Sequence, residues 1–129
     1  YEIGSGLVGS EMCIRDSHQI SISHTRGFLA ILLSRSRRVG VDIEYRSDRI
    51  RRIASRFLRP DESASSTDDL LTCWCVKEAV YKLRSASHLA YDQMRVHLDT
   101  ATADDLLAAD SLSFGREITA DYVLVWTSE

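Results

Sequence analysis

At 129 residues the chain has room for one small domain and too little for two. Its 44% hydrophobic and 27% charged residues are ordinary for a soluble globular protein, and the longest apolar run, Phe28 to Leu33, is far too short to span a bilayer. The formal net charge of −3 is unevenly spread, with nine arginines against Asp42, Glu44 and Asp48 between Arg35 and Arg59 and a mostly acidic chain beyond Ser85.

No basic region followed by an apolar stretch opens the chain, so no secretory signal is read there. The first segment, Leu7 to Ser17 ("LVGSEMCIRDS"), has no assignable periodicity and is similar to the conceptual translation of an adapter used in transposon-based sequencing libraries. Residues 1–17 are therefore expected to be non-native, and residues 18–129 to form the domain, with the N-terminal part of the natural protein missing. From Gln19, "QISISH" alternates polar and apolar and predicts a strand with Ile20 and Ile22 on one face, ending at His24. Thr25-Arg26-Gly27 is a turn signal, and "FLAILLS" predicts a second strand, buried on both faces. After the basic turn Arg35 to Arg38, "VGVDIEY" predicts a third strand, and the short turns predict an antiparallel meander.

Ser47 is expected to cap a helix whose apolar residues Ile50, Ile53, Ala54, Phe57 and Leu58 share one face. Pro60 ends that helix and opens a short helical turn at "PDE". Thr67 is expected to cap a long helix through "DLLTCWCVKEAVYKL", with Asp68 and Asp69 at its positive end. A strand at "MRVHLD", a helical turn at "ADDLLAA" and a final hairpin of "SLSFGR" and "DYVLVWTS" complete an α+β fold, an antiparallel sheet packed against helices. Cys13, Cys73 and Cys75, odd in number and without framework spacing, argue for a reducing, cytoplasmic setting. On a helix Cys73 and Cys75 point about 200° apart and cannot share a metal, which argues against zinc.

The chemistry-bearing residues fall in three places. Asp42 and Glu44 are at i, i+2 on a strand and so share a face, where two like charges repel. Glu78 and Lys82, four apart on a helix, lie together. His24 ends a strand beside a turn. Each has a plain structural reading: a solvated acidic pair, a surface helix ion pair, a structural histidine. Trp74 with Leu70 and Tyr81 reads as core packing, and the arginines as a solvated face. Together they form a coherent set: three carboxylates supply hard oxygens of the kind Mg²⁺ takes, and Lys82 and His24 can hold phosphate charge on either side. That set points to magnesium-assisted phosphoryl-group chemistry. The only lysines among sixteen basic residues are Lys77 and Lys82, a hint that an ammonium is needed at those two places.

"ISISHTRG", "VGVDIE", "RFLRPDE" and "WCVKEAVYK" resemble, in order and spacing, the successive motifs of the 4′-phosphopantetheinyl transferases. The single residue between Asp42 and Glu44 is similar to the larger, pseudo-dimeric class of surfactin-synthetase-activating type, of which residues 18–129 resemble the C-terminal half of a compact bacterial member. The resemblance implies transfer of the 4′-phosphopantetheine arm from coenzyme A to a serine of an acyl or peptidyl carrier protein, with release of 3′,5′-ADP. It implies Asp42, Glu44 and Glu78 as magnesium carboxylates, Glu78 and Lys82 as catalytic, and His24, Lys82 and Lys77 as contacts to the coenzyme A phosphates. Glu62 matches a further acidic position near the site, and Trp74 a residue packed under it. Arg46, Arg49, Arg52 and Arg56 offer a docking face for an acidic carrier. No nucleic-acid or membrane partner is implied. With the other half absent, apolar surface should be exposed and activity of the chain is in doubt. The alternatives are an inactive fragment of such a transferase, a non-catalytic arginine-rich binding module, and a magnesium-dependent phosphohydrolase; the module reading suffers because no stacking aromatics interleave the arginines.

Overall fold

A computed structural model describes Cys13–Ile14 and residues 18–129; the rest of the segment read as non-native lies outside the described residues. Among the described residues, two antiparallel sheets and two α-helices make the α+β fold that the sequence predicts. The small sheet has the order β1-β2-β3, with β1 at Cys13–Ile14, β2 at His18–Thr25 and β3 at Phe28–Ser34. The large one comprises β4 (Val39–Tyr45), β5 (Met94–His97), β6 (Thr102–Asp105), β7 (Asp110–Ile118) and β8 (Tyr122–Ser128), in the order β4-β8-β7-β6-β5. Helix α1 spans Ile50–Phe57 and α2 spans Thr67–Leu83. No helix among the described residues is long and apolar enough to cross a membrane.

Helix α2 is the core of the molecule. It is buried on nearly every side, from Leu70 and Leu71 through Val76 and Val80 to Leu83, and packs on the sheet face that carries Phe114, Val123 and Val125. Ser66, not Thr67, caps it: the Ser66 hydroxyl accepts the Asp69 N–H at 3.0 Å, a bond contributing ~1 kcal/mol. Thr67 instead donates to Asp48 at 2.6 Å and accepts from Arg51 Nε at 3.2 Å, tying the start of α1 to α2. No side chain caps α1, because the Ser47 hydroxyl accepts the Arg49 N–H in the preceding turn.

Other expectations are corrected. The "PDE" segment is not helical: the Glu62 carboxylate takes the Arg59 N–H at 2.7 Å and closes a turn there. "ADDLLAA" splits into β6 and a tight turn, in which Asp105 Oδ1 accepts the N–H groups of Leu107 and Ala108. The three early strands are not a meander, since β4 pairs with β8 and has no backbone ladder to β3. Nor is β3 buried on both faces; Leu29, Ile31 and Leu33 are 60%, 58% and 60% exposed. The outer side of this hairpin thus carries apolar surface.

The edge of β4 is closed by side chains. Ser21, Ser23 and Thr25, alternate residues of β2, accept the N–H groups of Val41, Ile43 and Tyr45 at 3.1, 3.2 and 3.2 Å. The serine face of β2 is therefore the inner one, and Ile20 and Ile22 are only partly covered. On the other side of β4, Gly40 lets α2 approach so closely that a Cβ there would stand 1.9 Å from the Ala79 carbonyl oxygen. Gly40→Ala is expected to destabilise the fold by at least the ~1–3 kcal/mol typical of overpacking, because both clashing groups are held by backbone. Chemical denaturation would register the loss as a lower midpoint.

Candidate active site

Strand β4 and helix α2 bring the sequence-predicted acids together. On β4 the register to β8 puts Asp42 and Glu44 on the face that α2 covers. On α2, Trp74, Glu78 and Lys82 recur at every fourth residue and form one stripe. The stripe runs antiparallel to β4. Lys82 Nζ stands 3.6 Å from Asp42 Oδ1, and Trp74 Nε1 donates to Glu44 Oε2 at 3.2 Å. Glu78, between them on the helix, accepts the Tyr91 hydroxyl proton at 3.1 Å.

The electrostatics follow from burial. Asp42 is only 5% exposed, and desolvation lifts its carboxyl from 3.8 to about 7. Lys82 and the Ser23 hydroxyl, 3.0 Å from Oδ1, pull in the opposite direction; Glu44 and Glu78 push it further up. Glu44 is raised for the same leading reason, offset by the Trp74 bond. Lys82 donates to the carbonyls of Val41 (2.9 Å) and Ile22 (3.1 Å) as well, so its ammonium also bridges β4 to β2. Asp42 Oδ2 is buried and has no hydrogen-bond partner. A buried carboxylate oxygen without a donor costs several kcal/mol unless protonated or offset by a cation, so the site calls for a positive charge.

Lys77 does not join this cluster. Its ammonium is fully buried and donates to Phe57 O (2.5 Å), Glu62 Oε1 (2.8 Å) and Tyr91 O (3.1 Å). All three protons are committed, which corrects its expected contact with a cofactor. Glu62 is equally occupied: its second oxygen takes the Val96 N–H at 2.6 Å, so this acid braces the fold. His24 stands exposed near the end of β2, on the strand face opposite Ser23. Trp74 packs against Phe57 and Tyr91, with ring centroids 5.3 and 5.6 Å apart. Beside Glu44 and Trp74 opens a cleft of about 300 Å³, floored by Ile50, Ile53 and Leu71 and rimmed by Arg49 and Arg52. Of the other arginines read as a docking face, Arg46 is engaged with Asp68 and the Thr119 carbonyl.

The family model of the 4′-phosphopantetheinyl transferase superfamily matches residues 38–125, more than half of the chain. The chain belongs to this superfamily. A phosphopantetheinyl-transferase kind of function follows at that level. The match contains Asp42, Glu44, Glu78 and Lys82 and leaves His24 and the β2–β3 hairpin outside it. No curated protein matches the chain.

Among the described residues, no group of three or more His, Cys, Asp or Glu side chains closes to metal-holding distance. The donor set nevertheless suits Mg²⁺, which keeps several waters and takes only one or two carboxylates directly, together with substrate phosphates. Two residues at the site escaped the sequence reading. Ser23 had a signal, the hydroxyls recurring at i, i+2, i+4 in "SISHT" where an apolar inner face is the norm. Tyr91 had none: it lies thirteen residues beyond Glu78, in a 3-10 turn. Burial and Glu78 raise the Tyr91 phenol to about 12, so it remains a proton donor.

Because folded Asp42 holds its proton more tightly than the unfolded chain does, its contribution to stability is full below about pH 4 and is lost as pH rises through about 7. Asp61 and Asp104, lowered to about 2 chiefly by hydrogen bonds from Arg59 and Ser111, act below that window with the opposite sign. In chelator, the denaturation midpoint is expected to fall between pH 4 and 7, and Asp42→Asn to flatten that slope. Midpoints recorded across this range for both proteins test the assignment.

Proposed function

We propose that the chain transfers the 4′-phosphopantetheine arm of coenzyme A to a serine of an acyl or peptidyl carrier protein, in a magnesium-dependent reaction that releases 3′,5′-ADP in the cytoplasm. The observation that carries this reading is the unpartnered, buried Oδ2 of Asp42 beside two further carboxylates, in a chain of this superfamily. An acid in that setting keeps its proton up to about pH 7 even with Lys82 beside it, so a further cation is needed to hold it fully ionised, and a pyrophosphate cannot approach three bare carboxylates.

In this reading Asp42, Glu44 and Glu78 hold Mg²⁺, directly or through water. When bound, the cation supplies charge neutralisation for the pyrophosphate and its departing oxygen. Glu78 takes the proton of the carrier serine, directly or through a water, as its oxygen attacks the β-phosphate. The bond to the bridging oxygen of 3′,5′-ADP breaks, and Lys82, the one ammonium beside Asp42, offsets the charge that grows on that side. His24, exposed at the end of β2, is assigned to the nucleotide phosphates. Lys77 has no part in it.

The carrier is assigned to the arginine face of α1. The cleft beside Glu44 supports this, since its apolar floor and arginine rim suit an acidic partner that presents an apolar side chain. Arg49, Arg52 and Arg56 are the contacts intended, Arg46 being engaged within the fold.

Incubation with coenzyme A, Mg²⁺ and an apo carrier should raise the carrier's mass by one phosphopantetheine. Asp42→Ala and Glu78→Ala should each lower that rate by at least about 100-fold while thermal melting shows a folded protein. Normal carrier modification by either variant would sink the carboxylate assignment. Arg52→Glu with Arg56→Glu should raise the carrier KM several-fold at low salt, and the difference should shrink toward 1 M salt as screening grows. An unchanged carrier KM at low salt would remove α1 as the docking face.

A further inference from the structure

The three carboxylates are each held by a different side chain: Asp42 by Ser23, Glu44 by Trp74 and Glu78 by Tyr91. Two of these donors touch each other, the rings of Trp74 and Tyr91 lying 5.6 Å apart at 36°. Both are neutral. An arginine or lysine in either place would orient the acid but also neutralise it and compete with a bound cation. An indole or phenol fixes the carboxylate while leaving its full charge available.

Tyr91 is itself fixed from behind. Its carbonyl accepts from Lys77 at 3.1 Å, and the same ammonium is anchored on Phe57 O and Glu62. Glu62 in turn holds the N–H groups of Arg59 and Val96. Lys77 is the immediate neighbour of Glu78 on α2, yet its ammonium turns away to grip the backbone of the residue whose side chain orients Glu78. The buried pair thus sets the 3-10 turn Tyr91–Gln93 against α2, and the phenol passes that placement on to the acid.

We infer that Tyr91 is a positioning residue for Glu78, and that the buried Lys77–Glu62 pair acts on the carboxylate cluster through it. This rests on the reading of Asp42, Glu44 and Glu78 as a cation site. Tyr91→Phe is the informative variant, because it keeps the ring on Trp74 and the carbonyl on Lys77 and removes only the hydroxyl. Tyr122→Phe removes a similar bond, to Glu117 at 2.7 Å in the β7–β8 hairpin, and serves as the control.

The measurement is Mn²⁺ binding to the isolated chain, read by electron paramagnetic resonance, with thermal melting in chelator alongside. Tyr91→Phe is expected to weaken Mn²⁺ binding by about 10-fold, with the melting temperature in chelator unchanged, and Tyr122→Phe to match the wild type. Equal Mn²⁺ affinity of Tyr91→Phe and wild type would overturn the inference alone. So would a weakening accompanied by a fall in melting temperature in chelator, or one reproduced by Tyr122→Phe. A wild-type chain that binds no Mn²⁺ would overturn the cation reading and this inference with it.

Discussion

A strand edge that cannot remain open governs this structure. Strand β4 is the last of its sheet, with β8 on one side and, among the described residues, no backbone ladder on the other. Its outward N–H groups are buried, and each would cost about 1–3 kcal/mol if left without an acceptor. Three hydroxyls of β2 meet that demand, and the Lys82 ammonium meets the carbonyl of Val41. Much of the site is a by-product of this repair. The hydroxyl that accepts from Ile43 also donates to Asp42, and the ammonium that ties β4 to β2 is the charge nearest that acid. The groups that tune Asp42 are the ones that hold the hairpin against the sheet.

The same economy of donors runs through the two ion pairs on α2. Lys77 and Glu62 form a fully satisfied buried pair, three acceptors around the ammonium and three donors on the carboxylate. Lys82 and Asp42 form an unfinished one, with one carboxylate oxygen left over. A satisfied pair specifies geometry; an unfinished one leaves an electrostatic demand that a ligand can meet. With their lysines five residues apart on one helix, the two pairs divide the labour between architecture and chemistry.

Much of this was legible from local pattern. "FLAILLS" and "VGVDIEY" coincide with β3 and β4, because alternation and turn chemistry are local signals. Strand periodicity pairs Asp42 with Glu44 and helix periodicity pairs Glu78 with Lys82; joining the two pairs took the chemistry of a shared ligand and the family resemblance. What failed was non-local. The partner of β4 lies at the far end of the chain, so short turns falsely suggested a meander. The inward face of β2 is the serine one, although polarity ordinarily means solvent, because here it answers an unpaired edge. Both lysines that stand out in the composition donate to converging backbone carbonyl oxygens, a use that suits a compact ammonium with three rotatable donors. Tyr91 had no sequence signature, since its role exists only once the turn has docked on α2.

The outer face of the β2–β3 hairpin has a practical side. Leu29, Ile31 and Leu33 project from the terminal strand of the small sheet, whose far edge has no neighbour among the described residues. Alternating bulky side chains beside an unsatisfied strand edge are a template on which other extended chains can grow. The consequence is a tendency toward self-association that folding free energy alone does not govern: dilute, cool samples and a charged substitution at Ile31 favour keeping the molecule dispersed.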